Sequence, residues 1–386
     1  MLAVVSKLLT IIRPYNVIAI IFASKSKTFS MGVLSRLIFQ LRSVVPLLTV
    51  FLLSLVLLIT PGCGGDDHPD VSNINIHLNT LRLDQDLAKI DTNSVAAGLQ
   101  ELHSKYPDFL DFYLDTLMGF GIHSKYSDTV AGIRLGLQPF LAHKDIVGLF
   151  DTVAKHYPDT KQLDEDLTAG FQYMKHYYPQ FFVPKIIYLI TGLNQWSVVT
   201  VDTNIIGIGL DMYLGEQYPF YRAVQIPEYV IKKCTPEYVS VNTFQAIYRD
   251  RVPFVMEGRT LLDMMIQRGK EQYFLSKVLP FKDEKVRLGF TQKQLEWSEA
   301  SEAMVYNFFV KDNLLYETNW QKIVRYVNDG PSAAGMPAES PGNIGSWLGY
   351  QIVKAYVEQH PEATLNDILK PTDAQRFLQE SKYKPR

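Results

Sequence analysis

Apolar residues run from Val44 to Ile59 with little interruption, and the pattern then breaks sharply. Arg36 and Arg42 precede the run, Thr60-Pro61-Gly62-Cys63 closes it, and Gly64-Gly65-Asp66-Asp67-His68-Pro69-Asp70 follows. A basic segment, an apolar segment and small residues before a cysteine describe a secretory signal that ends at a lipid-acceptor thiol. The run is short for a spanning helix, and Pro61-Gly62 would end a helix there, which disfavours the rival reading as a plain transmembrane anchor. Residues 31–62 are therefore read as a lipoprotein signal peptide, Cys63 as the lipidation site and residues 63–74 as a tether. A second apolar patch, Val17 to Ala23, lies behind Lys7, Arg13 and Pro14. Because Met31 opens a segment with the proportions of a complete signal, residues 1–30 read as an extra extension and Met31 as the start, the rival reading being a longer targeting region.

Beyond the tether, residues 75–386 read as one globular domain. Asn75 to Leu83 alternates apolar and polar positions through Ile76, Leu78, Leu81 and Leu83, which predicts a strand. From Leu87 to His176 the pattern is helical: Leu99, Leu102 and His103 share one face, and Leu110, Tyr113, Leu114 and Leu117 share another. Pro107, Pro158 and Pro179 punctuate it. Three β-branched runs follow, Lys185 to Thr191, Ser197 to Asp202 and Ile205 to Leu214, with short gaps that predict an antiparallel meander. Gly207 and Gly209 lack the third glycine and the strand-to-helix context of a phosphate loop, and read as glycines of an edge strand or bulge. The last third is helical again. Thr235-Pro236-Glu237 reads as a helix start, and Thr260 to Leu275 carries Leu261, Leu262, Met265, Ile266 and Tyr273 on one stripe. Thr291-Gln292-Lys293-Gln294 is a capping box opening a helix through Phe309, and Ile344 to His360 is amphipathic up to Pro361. Between them Asn328 to Gly342, rich in Gly, Pro, Ser and Ala, is a long connection and a candidate functional loop. The fold class predicted is α+β, mainly helical with a small antiparallel sheet.

Composition adds exclusions. With 38 basic and 40 acidic residues the 386-residue chain is nearly neutral, and no basic stripe points to nucleic acid. Cys63 and Cys234 are the only cysteines, so once Cys63 carries lipid no disulfide can form within the chain. Cys234 reads as a small buried hydrophobe.

The search for chemistry finds no His-Glu-x-x-His, Cys-x-x-Cys, Gly-x-Ser-x-Gly or Walker loop. Of the eight histidines only His360 lies beyond the predicted sheet, and the spacing of the others matches no zinc site, so no cofactor is expected. Candidate cleft residues are Asp211, Asp263, Arg268, Glu299 and Glu302; their carboxylates would serve the alternative reading, an exported peptidase-like hydrolase.

Several phrases together carry a resemblance. They are Leu210-Asp211-Met212-Tyr213-Leu214-Gly215, Thr260-Leu261-Leu262-Asp263-Met264-Met265-Ile266, Gly269-Lys270 and Tyr273-Phe274-Leu275. Tyr316, Ser340-Pro341-Gly342-Asn343-Ile344-Gly345, Trp347-Leu348-Gly349 and Ser381-Lys382-Tyr383-Lys384-Pro385 continue the series. Across residues 75–386 the chain resembles the GldB family, gliding-motility lipoproteins of Bacteroidetes. That resemblance implies a lipid-anchored envelope protein without enzymatic activity, on the outer rather than the inner membrane, binding an envelope partner of the gliding or secretion machinery. More faintly the chain is similar to zinc peptidases of zincin type, in which a His-Glu-x-x-His helix precedes a helix offering an acidic ligand. Here the first helix reads Tyr-Val-Ser-Val-Asn-Thr-Phe-Gln-Ala-Ile-Tyr, and Arg268 stands before Gly269 where the acid belongs. A guanidinium cannot lose its proton to bind a dication, so the resemblance implies a degenerate zincin-like fold without its metal.

Overall fold

Strand β2 (Lys185–Leu189) and strand β4 (Ile205–Gly209) are the middle of a four-stranded sheet ordered β1-β2-β4-β3, with β1 at Thr80–Arg82 and β3 at Val198–Val201. The computed structural model describes residues 68–194, 197–201, 204–254 and 258–386; Cys63, the signal 31–62, the extension 1–30 and the first tether residues lie outside the described residues. Residues His68–Arg386 form one compact unit. The fold is α+β with 56% helix, as the sequence predicts, but the sheet is mixed rather than antiparallel. β1 and β4 both run parallel to β2, and only β3 is antiparallel, paired to β4.

The correction has a physical reason. Ile205-Ile206-Gly207-Ile208 does not alternate, because both faces of β4 are buried, and a near-continuous apolar run is the mark of an interior parallel strand. β3 folds back onto the far side of β4 instead of lying between β2 and β4. Gly207 is therefore interior, not on an edge: a Cβ there would stand 3.0 Å from Leu189, Phe109 and Val199 at once.

Among the described residues ten longer helices pack against the sheet or against one another. They are α1 (Val95–Lys105), α2 (Lys144–His156), α3 (Lys161–Tyr177), α4 (Tyr238–Arg251), α5 (Leu261–Val278), α6 (Gln292–Ala300), α7 (Glu302–Lys311), α8 (Trp320–Val327), α9 (Ile344–Gln359) and α10 (Ala374–Ser381). The helix predicted from Thr291 to Phe309 is broken at Ser301 into α6 and α7; the Ser298 hydroxyl donates to the Gln294 carbonyl, a side-chain bond that competes with the helical ladder. Its capping box forms as predicted, and Thr260 with Asp263 makes a second one at the head of α5. α4 begins at Tyr238 without a side-chain cap, and the buried Thr235 hydroxyl has no partner among the described residues.

Two apolar cores result. One joins the sheet to the N-terminal helices and α4 through Phe109, Phe171, Ile187, Ile208 and Phe244. The other sits where α5 crosses α9 and gathers Leu262, Met265, Trp347, Leu348 and Phe309. α5 is buried nearly all round, so each polar residue on it has a specific surrounding. Lys270, 2% exposed, donates to the Lys370 carbonyl (2.6 Å) and the Thr372 hydroxyl (2.9 Å) and lies over the Phe377 ring. It thereby ties the segment before α10 to α5.

Burial lowers the Lys270 ammonium to about 8. The folded state thus releases this proton before the unfolded chain does, so folding gains from rising pH between about 8 and the ordinary lysine value near 10.4. Between pH 8 and pH 9.5 the urea stability of wild type should rise, relative to Lys270→Met, by on the order of 1–2 kcal/mol. Parallel curves for the two proteins would remove Lys270 as the cause.

Candidate binding cavity

On α5 the residues Arg268, Glu271 and Gln272 follow helical spacing i, i+3, i+4 and so share one face. Across from them α4 presents Asn242, Gln245, Ala246 and Arg249, which share a face by the same rule. Both faces border a cavity of about 560 Å3, a size typical of small-ligand sites. More of the wall comes from Ser197 and Val198 at the start of β3, the helical turn Leu210–Tyr213, the segment Tyr229–Cys234 and the helix Glu284–Leu288. Val327, Asn328 and Asp329 also line it, so the stem of the long loop singled out by the sequence borders the cavity. The loop is pinned at that stem by Gly330 against Gly342, and inside by the Ala333 amide donating to the buried Ser340 hydroxyl.

The electrostatic centre is Glu271. Its side chain is 3% exposed, and Arg249 holds both carboxylate oxygens, at 2.8 Å and 3.3 Å, while Arg268 reaches one at 3.0 Å. The Arg249 side chain is 56% exposed, so desolvation works only weakly against its charge, and the Glu271 charge and hydrogen bonds leave the net shift upward. Burial, reinforced by Glu271, likewise pushes the nearby Tyr248 hydroxyl well above the ordinary phenol range. A buried carboxylate between two cations is well satisfied, and the trio keeps one surplus positive charge. Two further cations on the wall are already engaged: Lys233 pairs with Asp329, and Arg287 donates to the Leu279 and Lys282 carbonyls.

Neutral polar groups complete the lining. The Asn242 amide donates to the Tyr213 hydroxyl at 2.8 Å, and burial pushes that phenol up to about 12. Gln272 lines the cavity at 7% exposure, and its buried Oε1 has no hydrogen-bond partner among the described residues. Cys234, also on the wall, is 3% exposed, and burial raises its thiol to about 11, which makes it a small apolar surface rather than a nucleophile.

Of the candidate residues read from the sequence, only Arg268 lines this cavity. Asp211 is fully buried and accepts from the Thr191 and Leu193 amides and the Thr191 hydroxyl. Asp263 closes the capping box of α5 with Thr260. Glu299 is exposed on α6, and Glu302 accepts from the Tyr383 hydroxyl at 2.6 Å beside a separate cavity of about 320 Å3. Among the described residues no three His, Cys, Asp or Glu side chains converge as a metal site would require. Sequence reasoning missed Arg249, Glu271, Gln272 and Asn242. The signal available was a polar group, Arg268 with Glu271-Gln272, inside a helix otherwise almost wholly buried.

Comparison with known proteins adds one match. A family model described as gliding motility protein GldB covers residues 65–385. No curated protein and no solved structure matches the chain. Among the described residues no helix is long and apolar enough to cross a membrane.

Proposed function

Because the chain belongs to the family of gliding motility protein GldB, we propose that it is a non-enzymatic, lipid-anchored envelope component that holds a partner protein in the cavity at Arg249, Arg268 and Glu271. The observation that carries this reading is the charge of the cavity floor. Two guanidiniums clamp its only buried carboxylate, which suits recognition of an anionic group and opposes a bound dication. The relation to zincin-type peptidases belongs to the same reading: a cleft between two helices retained for binding, with Arg268 where an acidic ligand would have to be. The rival, a hydrolase built on Asp211, Asp263, Glu299 and Glu302, is disfavoured because those carboxylates lie in four separate surroundings.

The sheet edge supports the same use. The Gly209 amide donates to the Ser197 carbonyl, so the hydrogen-bonded pairs alternate from there and Val198 and Thr200 turn their backbone groups away from β4. An extended partner segment can therefore add to β3, and not to β4, which is enclosed between β2 and β3. Attachment through lipid at Cys63, with Asp66 and Asp67 in the tether, places the domain at the envelope, on the outer rather than the inner membrane.

The test has two arms in one strain. Cys63→Ser should move the protein from the membrane fraction to the soluble fraction. A photo-crosslinking residue at Gln245 in living cells should give one discrete adduct that disappears when Arg249→Gln and Arg268→Gln are combined. An adduct indifferent to that pair, or no adduct at all, would overturn the binding site; membrane retention of Cys63→Ser would overturn the anchor.

A further inference from the structure

We infer that the cavity takes an extended acidic segment of the partner protein, with two carboxylate side chains on one face about 12 Å apart. One carboxylate meets Arg249 and Arg268, and the other meets Arg287. The inference rests on the binding function proposed above and specifies the chemistry of what is bound.

Two surplus charges set the requirement. Lys233, Arg249, Arg268 and Arg287 line the cavity against Glu271 and Asp329, which leaves two positive charges uncompensated. The rest of the domain has the opposite sign. With the six basic and two acidic residues of segment 1–67 set aside, residues 68–386 hold 32 basic and 38 acidic residues, a net charge of −6. At physiological salt charges are screened over about 8 Å, so an acidic segment is attracted at the cavity and not by the domain at large.

The two charges are held apart. One belongs to the trio of Arg249, Arg268 and Glu271, where Arg268 bonds through Nη1 and keeps Nε and Nη2 as further donors. The other belongs to Arg287, whose Nη1 donates to the Leu279 carbonyl at 3.3 Å and to the Lys282 carbonyl, at the far end of α5. A carbonyl accepts such a bond without cancelling the charge. Glu271 and Leu279 are eight residues apart on that helix and its cap, about 12 Å along the axis. Guanidinium forks fit phosphate and carboxylate alike, so shape does not choose between them. Distance does: one phosphate cannot reach both centres, and a single surplus charge at each suits two monoanions.

Backbone chemistry makes the carrier a peptide. Ser197 and Val198 line the cavity at the start of β3, and Val198 turns its amide and carbonyl away from β4. A strand added there pairs through main-chain groups that neither a nucleic acid nor a polyphosphate carries. In an extended chain residues i and i+4 share a face and stand about 13 Å apart, which matches the spacing of the two centres.

The probe is a pool of dye-labelled heptapeptides, acetylated and amidated, with Glu fixed at positions 2 and 6 and uncharged residues randomised elsewhere. Fluorescence anisotropy with the full-length lipoprotein in detergent should show binding about tenfold tighter than for pools with Gln at either Glu, the loss of one charge-assisted pair. A pool with adjacent Glu at positions 3 and 4 should bind as weakly as the single-acid pools. Arg268→Gln should abolish the effect of one Glu and Arg287→Gln the effect of the other, while thermal melting stays near wild type. The comparison of spaced with adjacent acids needs no variant and decides the matter even where Arg287→Gln melts early. Equal binding of spaced and adjacent acids, or two variants acting on the same Glu, would overturn the inference. So would oligothymidylate or inorganic phosphate displacing the peptide at equal concentration. If no pool binds while the Gln245 adduct persists, the partner engages the cavity by another chemistry and the inference falls alone.

Discussion

Gly349→Ala should destabilise the folded domain by about 3 kcal/mol or more, the upper range for added volume in a packed core. α9 meets α5 backbone to backbone: a Cβ on Gly349 would stand 1.8 Å from the Met265 carbonyl oxygen, and one on Gly269 would stand 2.3 Å from the Gly349 carbonyl. Neither obstacle is a side chain that can rotate aside. The helices would have to separate, and interaxial distance is what the whole second core is packed around. Gly345, one turn before Gly349, sits under the same constraint from the Tyr326 carbonyl at 2.7 Å, so one face of α9 is kept bare at both positions. The check is the urea midpoint of Gly349→Ala, with Gly269→Ala as a second entrance to the same contact. Because both act on one contact, the double variant should cost clearly less than the two single losses added. A midpoint shift equivalent to less than about 0.5 kcal/mol, the range of an ordinary surface change, would mean that the helices are not held this close.

The bare crossing and the cavity explain which parts of this protein could be read from its sequence. Element starts and stops are local: the Thr291–Gln294 box and Pro361 after α9 depend on neighbours within a turn, and they form where the sequence predicts them, whereas the stripe predicted on α5 gives way to burial nearly all round the helix. Strand pairing is not local. Ile205–Ile208 reads as a strand in either topology, and only burial on both faces, which one strand's residues do not reveal, makes it an interior parallel strand between β2 and β3. The cavity lies at the same level. Arg249 and Glu271 are 22 positions apart and each resembles a solvated helix residue until α4 and α5 are placed side by side. Arg268 was singled out in the sequence because the faint zincin-type resemblance would put an acid at that position; Glu271 had no such frame.

Asp211 shows the reverse case, a carboxylate that invites a catalytic reading and holds the fold instead. It follows β4, and it binds the turn that follows β2: the Thr191 amide at 2.9 Å, the Thr191 hydroxyl at 2.9 Å and the Leu193 amide at 2.8 Å. Asp211→Ala leaves two backbone amides and a hydroxyl without an acceptor inside the fold, and should cost about 3 kcal/mol, several times the loss of one neutral hydrogen bond. Asp211→Asn should cost less, for a reason visible in the carboxyl itself. Burial raises its pKa above the ordinary value even though the donors pull it down, so the ionised form pays more for desolvation than its bonds return relative to the neutral acid. A group with a raised folded-state pKa favours folding most when protonated. Wild type should therefore gain stability relative to Asp211→Asn as pH falls from neutral toward the ordinary aspartate value near 3.9, and lose that gain as pH rises. Urea midpoints at pH 7 and pH 4.5 give the order wild type, Asn, Ala at the first and a wider wild-type lead over Asn at the second. An alanine variant as stable as wild type would return Asp211 to the list of candidate functional groups. A stable fold with a loosened turn has its own signature, since this turn leads toward β3: Asp211→Ala should then weaken the Gln245 adduct without any change in Arg249, Arg268 or Glu271.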